Sequence, residues 1–199
     1  YVAAVRAAQL GLKVAVVERQ KALGIIPADT VLAPRNPGVK PWEQLSADEK
    51  TLANRLQEAF AGFLEHTDDQ IGRLLAFLDG IGEADNTLVL LMSDNGASQE
   101  GGPLGMVNAM GPYNFLRETL AEKVRRIDDI GGPDTHSNFP HGWAMASNTP
   151  LRRYKQNTHG GGIRDPFVMN WPNKITARGE VRHQFVHACD LTPTLLELI

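Results

Sequence analysis

The chain has 199 residues, with 20 lysines and arginines against 23 aspartates and glutamates, a formal net charge of −3. At 42% hydrophobic and 22% charged residues it holds enough apolar content for a packed core, which excludes a disordered chain, and its near-neutral balance excludes broad electrostatic binding to nucleic acid. The lone cysteine, Cys189, excludes an internal disulfide and a cysteine-built zinc or redox pair, and no apolar run approaches the roughly 20 residues of a membrane helix. The opening residues lack the pattern of a secretory leader, so the expectation leans to a cytoplasmic, reducing setting without a membrane partner. Tyr1 is not a methionine and Ile199 sits inside an apolar helical pattern, so a fragment of 199 residues is expected.

Residues 2–10 predict a helix with Gly11 as its C-cap, and 13–18, KVAVVE, a short buried strand. Residues 24–41 hold four prolines and two glycines, too many for a regular element, and read as an extended linker and candidate junction. Ser46 and Glu49 form an S-x-x-E capping box. Behind it Leu52, Leu56, Phe60, Phe63, Leu64, Ile71, Leu74, Leu75 and Leu78 recur at helical spacing up to Gly80 and Gly82. This predicts one helix of roughly 50 Å, or two broken near Gly62 or Gly72. After the turn residues Asp85 and Asn86, TLVLLM (87–92) predicts a strand buried on both faces. Residues 96–115 read as a long loop and 117–130 as a helix presenting Leu120, Val124, Ile127 and Ile130. Residues 131–150, with Trp143 and three prolines, read as loop again, and 167–171, FVMNW, as a second core strand. Thr192 and Pro193 read as N-cap and first residue of a final helix. Helix, tight turn and buried strand together give an α/β layered domain.

Two stretches carry chemistry. Ser93-Asp94-Asn95-Gly96 follows the buried strand, where open α/β sheets bind ligands. A carboxylate and an amide carbonyl are hard oxygen donors that suit Ca²⁺ or Mg²⁺, although Asp-Asn-Gly is also good turn chemistry. Residues 149–166, TPLRRYKQNTHGGGIRDP, gather Arg152, Arg153, Lys155, His159 and Arg164 around three glycines. Flexible backbone beside cations can cradle an oxyanion, or the stretch is a solvated surface loop.

Taken together, LVLLMSDNGASQEGG and NTPLRRYKQNTHGGGIRDPFVMNWP resemble type I sulfatases of the alkaline-phosphatase-like superfamily. APRNPGVKPWEQLS, the helix before the strand, and HACDLTPTLLEL extend the resemblance over about 27–199. It implies the C-terminal part of a sandwich of mixed sheet and flanking helices. Asp94 and Asn95 would be calcium ligands (or magnesium ligands), Lys155 the lysine that contacts the sulfate and the leaving oxygen, and His159 a residue near the pocket mouth. Gly160 stands where many relatives carry a charged side chain, and Arg152 and Arg153 would be structural or rim residues. A sulfate ester is the implied substrate. The resemblance also implies a hydrated formylglycine nucleophile made from a C/S-x-P/A-x-R motif. No such motif occurs in the 199 residues, nor do the family's paired aspartates. Cys189 has no arginine at the required spacing and reads as a small core-lining residue. The expectation is a chain inactive alone that self-associates or pairs with a missing half.

Residues 1–24 resemble instead a helix and strand of dihydrolipoamide dehydrogenase and related FAD enzymes, with Glu18 as the strand-end acid on the adenosine ribose. The expected layout is thus a flavoprotein-like extension at 1–24, a proline-rich junction at 25–41 and a sulfatase-like portion at 42–199. A flavin-binding fragment and a non-catalytic binding module derived from a sulfatase are the alternatives. Phosphodiesterases and phosphoglycerate mutases of the same superfamily are disfavoured, because no histidine adjoins Asp94 and Asn95.

Overall fold

The computed structural model describes residues 13–198; the predicted helix 2–10 and its Gly11 cap lie outside them. Helix α1 runs Lys13–Ala22, so the predicted strand 13–18 is overturned. Lysine, arginine, glutamine and alanine in KVAVVERQKA favour a helix enough to outweigh three valines. Glu18 accordingly lies on a helix and pairs with Lys21 at 3.2 Å, so it cannot serve as the strand-end acid of a flavin site. Val17 is buried, and Gln20 Nε2 donates to the Thr149 carbonyl at 3.0 Å.

Residues 25–41 contain no regular element, as the prolines dictate, yet they are tied down. Asn36 is buried; its Oδ1 accepts from Arg153 N at 3.2 Å and its own N–H donates to Met145 Sδ. After a 3₁₀ turn at Trp42–Gln44, helix α2 runs unbroken through Ala47–Gly80. Its capping box is complete: Glu49 N donates to Ser46 Oγ at 3.1 Å and Ser46 N to Glu49 Oε2 at 2.8 Å. Neither Gly62 nor Gly72 breaks it.

Only the first turns of α2 are buried. Leu52, Ala53 and Leu56 pack with Val107, Ile130, Phe139, Trp143, Ala144, Met145 and Tyr154 into one core. Phe60 meets Phe139 edge to face at 4.7 Å, and Trp143 Nε1 donates to the Ala53 carbonyl at 2.8 Å, so the indole is both packed and satisfied. Arg55 Nη2 reaches the Ile130 carbonyl at 2.7 Å and holds the following segment against the helix. Beyond residue 60 the apolar stripe is open: Phe63 is 65% and Leu74 59% exposed.

The predicted helix 117–130 is shorter than expected. Helix α3 spans Leu120–Arg125, started by a second capping box of Thr119 and Glu122, and a 3₁₀ turn follows at Ile127–Asp129. Lys123 is buried and donates to the Gly105 carbonyl at 2.6 Å. The predicted loop 131–150 contains helix α4, His141–Ser147. Trp143, Ala144 and Met145 form its buried face, and burial of these three side chains overrides the loop signal of the flanking prolines.

Strand β1 (Val89–Met92) pairs antiparallel with β2 (Phe167–Asn170), Leu90 opposite Met169 and Met92 opposite Phe167; the short helix α5, Gly160–Ile163, precedes β2. The expectation of strands buried on both faces fails: Leu91 is 49% and Val168 56% exposed. A two-stranded sheet has no neighbour, among the described residues, to cover it. The last helix, α6, spans Ala188–Leu198 and begins upstream of the predicted Thr192 cap. Asp190 reaches back to His187 N at 2.8 Å and His187 Nδ1 accepts from Cys189 N, so this pair starts the helix and Pro193 falls inside it. No residue of α6 is buried, and Cys189 is exposed, not core-lining. The architecture is mixed α/β, a small sheet flanked by helices. No helix among the described residues is long and apolar enough to cross a membrane.

Candidate functional site

The loop after β1 is held by both backbone and side-chain bonds. Ser93 N extends the sheet by donating to the Pro166 carbonyl at 3.3 Å, and Gly96 N donates to the Gly162 carbonyl at 3.4 Å. Lys155 N donates to the Ala97 carbonyl at 3.0 Å. Asn148, from the end of α4, joins the two halves. Its Oδ1 accepts from Ala97 N at 3.0 Å, and its Nδ2 donates to the carbonyls of Arg153 at 3.0 Å and Gly161 at 2.7 Å. The segments carrying Asp94 and Lys155 are thus docked through backbone bonds and the bridging Asn148 amide.

This contact explains the glycines differently from the sequence expectation. A Cβ on Gly96 would lie 1.7 Å from the Gly161 carbonyl oxygen; on Gly161, 2.1 Å from the Arg153 oxygen; on Gly162, 2.0 Å from the Asn157 oxygen. Gly161 and Gly162 are buried in α5. They let backbones touch, and Gly96 is likewise a packing glycine with no positive φ. Gly160 has more room, its nearest neighbour being the Leu151 side chain at 3.3 Å.

Asp94 is exposed and Asn95 half-buried. The Asn95 Nδ2 is committed to the Gly96 carbonyl at 3.0 Å, which leaves Oδ1 as the free end of the amide. Lys155 Nζ meets Glu100 Oε1 at 2.7 Å. The Glu100 hydrogen bond, opposed by slight burial and helped by the charges of Glu100, Asp94 and Tyr113, holds the Lys155 ammonium above the usual lysine range. Lys155 therefore stays charged through neutral pH, and Asp94 lies within its field. Asp165 is also raised: burial first, then the charge of Asp94, pushes its carboxyl above the usual range. Asp94, Asp165 and Lys155 thus share one electrostatic neighbourhood at the end of the sheet.

His159 is exposed at the N-terminal boundary of α5 and Arg152 is exposed. Arg153 carries its backbone at φ 67° and donates its N–H to Asn36 Oδ1. Arg164 is exposed beyond α5. The fold therefore brings the loops of Asp94, Asn95 and Lys155 together and keeps His159 on the Lys155 loop.

Sequence reasoning missed three residues here. Asn148 could have been found as the asparagine ahead of Thr149-Pro150, Glu100 as the acid six residues after Asp94. His141 had no sequence signal. Its Nε2 lies 3.0 Å from the Gln99 carbonyl and its ring stacks on Tyr154 at 5.2 Å, while burial lowers its pKa so that the neutral ring packs. A cavity of about 380 Å³ between Trp42 and Trp143 shares His141 but none of Asp94, Asn95 and Lys155, so the candidate site is open and separate from it.

Asp94 and Asn95 offer two oxygen donors, and the charge of Asp94 acts on a second carboxylate, Asp165, a repulsion that a hard divalent cation would relieve. Among the described residues no group of three or more histidines, cysteines or carboxylates converges as a metal site. The residues fit a cation as part of a coordination shell, not the whole of one.

The loops carrying Asp94, Asn95 and Lys155 meet at the end of the small sheet of a mixed α/β chain. The comparisons with known proteins give its family. Residues 28–199 match the sulfatase family, and the chain belongs to that family. It is similar to an uncharacterized sulfatase of Schizosaccharomyces pombe, 34% identical over 182 residues, 91% of this chain and 32% of that protein. It is also similar to an arylsulfatase of Klebsiella aerogenes, 30% identical over 91% of this chain and 37% of that protein. To an N-acetylgalactosamine-6-sulfatase of Homo sapiens it is 29% identical over 76% of this chain and 22% of that protein. The chain thus spans about a third or less of the length of these relatives.

Proposed function

We propose that the chain is the part of a sulfuric ester hydrolase that carries half of the cation site and the sulfate-contacting lysine, without the nucleophile. The single observation behind this is the docking of the Asp94–Asn95 loop onto the Lys155 loop through Asn148 and the Gly96–Gly161 contact. Asp94 and Asn95 Oδ1 would hold calcium, or magnesium, with further oxygens supplied from elsewhere. Bound there, the cation would polarise the sulfate oxygens as a Lewis acid. Lys155 supplies a permanent positive charge for the sulfate and for the oxygen that leaves with the alcohol. His159, on the same loop, would stand near the rim of the site. The substrate class is a small sulfate ester.

None of the 199 residues supplies a C/S-x-P/A-x-R motif, so these groups bind and orient but do not attack sulfur. The exposed faces of β1, β2 and the far half of α2 fit a partner that presents apolar sheet and helix, either the complementary half of a sulfatase domain or a second copy of this chain. The cation part is tested by calorimetric titration of calcium into the chain and into Asp94→Ala. Weak binding by the chain is expected to be abolished in the variant. Equal retention of calcium by both would remove Asp94 from the site.

A further inference from the structure

Lys155 ends in an ammonium on four rotatable bonds, so its position is set by its partners and not by its own shape. Glu100 is the partner it has, at 2.7 Å. Both oxygens of that carboxylate are engaged. Oε1 takes Lys155 Nζ and, at 3.4 Å, Gln156 Nε2. Oε2 takes the Ser98 hydroxyl. Ser98 Oγ in turn accepts from Asn138 Nδ2 at 2.8 Å. Asn138 is itself fixed, because its backbone exchanges hydrogen bonds with Met106 at 2.9 and 3.0 Å. A continuous relay therefore runs from bridged backbone through Asn138, Ser98 and Glu100 to the ammonium. From the other side, Gln99 Nε2 donates to Gln156 Oε1 at 2.8 Å and steadies the loop that Lys155 sits on.

We propose that Glu100 is a positioning residue of the candidate site, fixing the Lys155 ammonium where a sulfate would meet it; the proposal rests on Lys155 being the sulfate-contacting cation. An ammonium has three N–H donors. Glu100 takes one, and the geometry leaves two for the oxygens of an anion. A free surface lysine would have to be immobilised at each binding event, whereas this one is placed in advance. Glu100 does not touch substrate; it acts through Lys155. The pair is only partly exposed, 36% for the lysine and 24% for the glutamate side chain, and it is embedded in side-chain bonds, unlike an isolated surface ion pair.

The test needs no turnover. The full 199-residue chain is labelled with trace 1-fluoro-2,4-dinitrobenzene from neutral to strongly alkaline pH, and Lys155 is read against Lys174 by peptide mass spectrometry. In Glu100→Gln the carboxylate charge that favours the ammonium is gone. The labelling midpoint of Lys155 should move to lower pH and its labelling at mildly alkaline pH rise several-fold, with the far-ultraviolet circular dichroism unchanged. Ser98→Ala, which frees Oε2 while keeping the charge, should give a smaller rise with little movement of the midpoint, and it decides the question should Glu100→Gln fail to fold. A Lys155 profile that superimposes on wild type in the folded variants overturns the proposal. Inorganic sulfate is added in a parallel series. Protection of Lys155 in the wild-type chain supports the sulfate role. A shifted midpoint without protection leaves Glu100 as the anchor of Lys155 but removes Lys155 from the sulfate site.

Discussion

Gly96→Ala should separate the two halves of the candidate site. The added methyl would fall 1.7 Å from the Gly161 carbonyl oxygen, 2.8 Å from its carbon and 3.0 Å from the Gly162 Cα. All three are backbone atoms, so no rotamer change relieves the clash. Overpacking against movable side chains costs about 1–3 kcal/mol, and a clash with backbone belongs at or above the upper end. The loop would have to back away, breaking the Gly96 to Gly162 hydrogen bond and straining the Asn148 bridge. A urea melt should show a loss of about 3 kcal/mol or more, and calcium titration a loss of whatever affinity the chain has. Gly160→Ala is the internal contrast. Its methyl meets only side chains, those of Leu151 and Arg164, and alanine is favoured over glycine in a helix by roughly 0.5–1 kcal/mol. Gly160→Ala should therefore be neutral or mildly stabilising. Equal melts for the two variants would show that the close approach does not hold the loops.

Leu56→Ala should be the most damaging change away from the site. Leu56 is fully buried, and its Cδ1 lies 2.2 Å from where a Cβ on Gly105 would be, so it fills the space between α2 and the loop after the site. Large-to-small changes at such positions cost about 2–5 kcal/mol. Domains rarely have more than about 5–15 kcal/mol in total. Among the described residues the core cluster holds ten buried side chains, and Leu56 is one of the largest fully buried. The urea midpoint should fall sharply, or the variant should be unfolded in water. Leu74→Ala, on the same helical stripe but 59% exposed, should move the melt by no more than about 0.5 kcal/mol. A Leu74 effect as large as that of Leu56 would mean that the far half of α2 is covered in solution, as self-association through its apolar face would do.

That contrast marks how far the sequence could be read. The start of α2 was legible because a capping box is local: Ser46, Glu49 and the backbone between them contain all of it. The positions of β1 and β2 were legible for the same reason. Their burial was not, because an apolar run says what a strand needs and not which neighbours the chain supplies. The three valines at the start of KVAVVERQKA give α1 a local strand pattern, which the helix formers around them outweigh. Helix α4 was missed because the flanking prolines hid a buried face of Trp143, Ala144 and Met145.

In the site, Asp94, Asn95 and Lys155 stood out by residue type and order, and the fold does bring their loops together. What joins them was hidden. Asn148 lies about fifty residues from Ala97. The glycines of 160–162 looked like flexibility, whereas Gly161 and Gly162 are points of backbone contact. Glu100 is an ordinary acid in sequence, and only the distance to Lys155 and the relay back to Asn138 set it apart. Long-range partners of this kind leave no periodicity to detect.

In the proposed function the chain would bind and orient a sulfate ester without a group of its own to attack it. Hydrolysis of 4-nitrophenyl sulfate by the purified 199-residue chain, with calcium in excess, tests this most directly. The predicted result is no release of 4-nitrophenol above the rate given by the Lys155→Ala chain prepared in the same way. Rapid turnover that disappears in Lys155→Ala would contradict it, since the nucleophile would then lie within these residues.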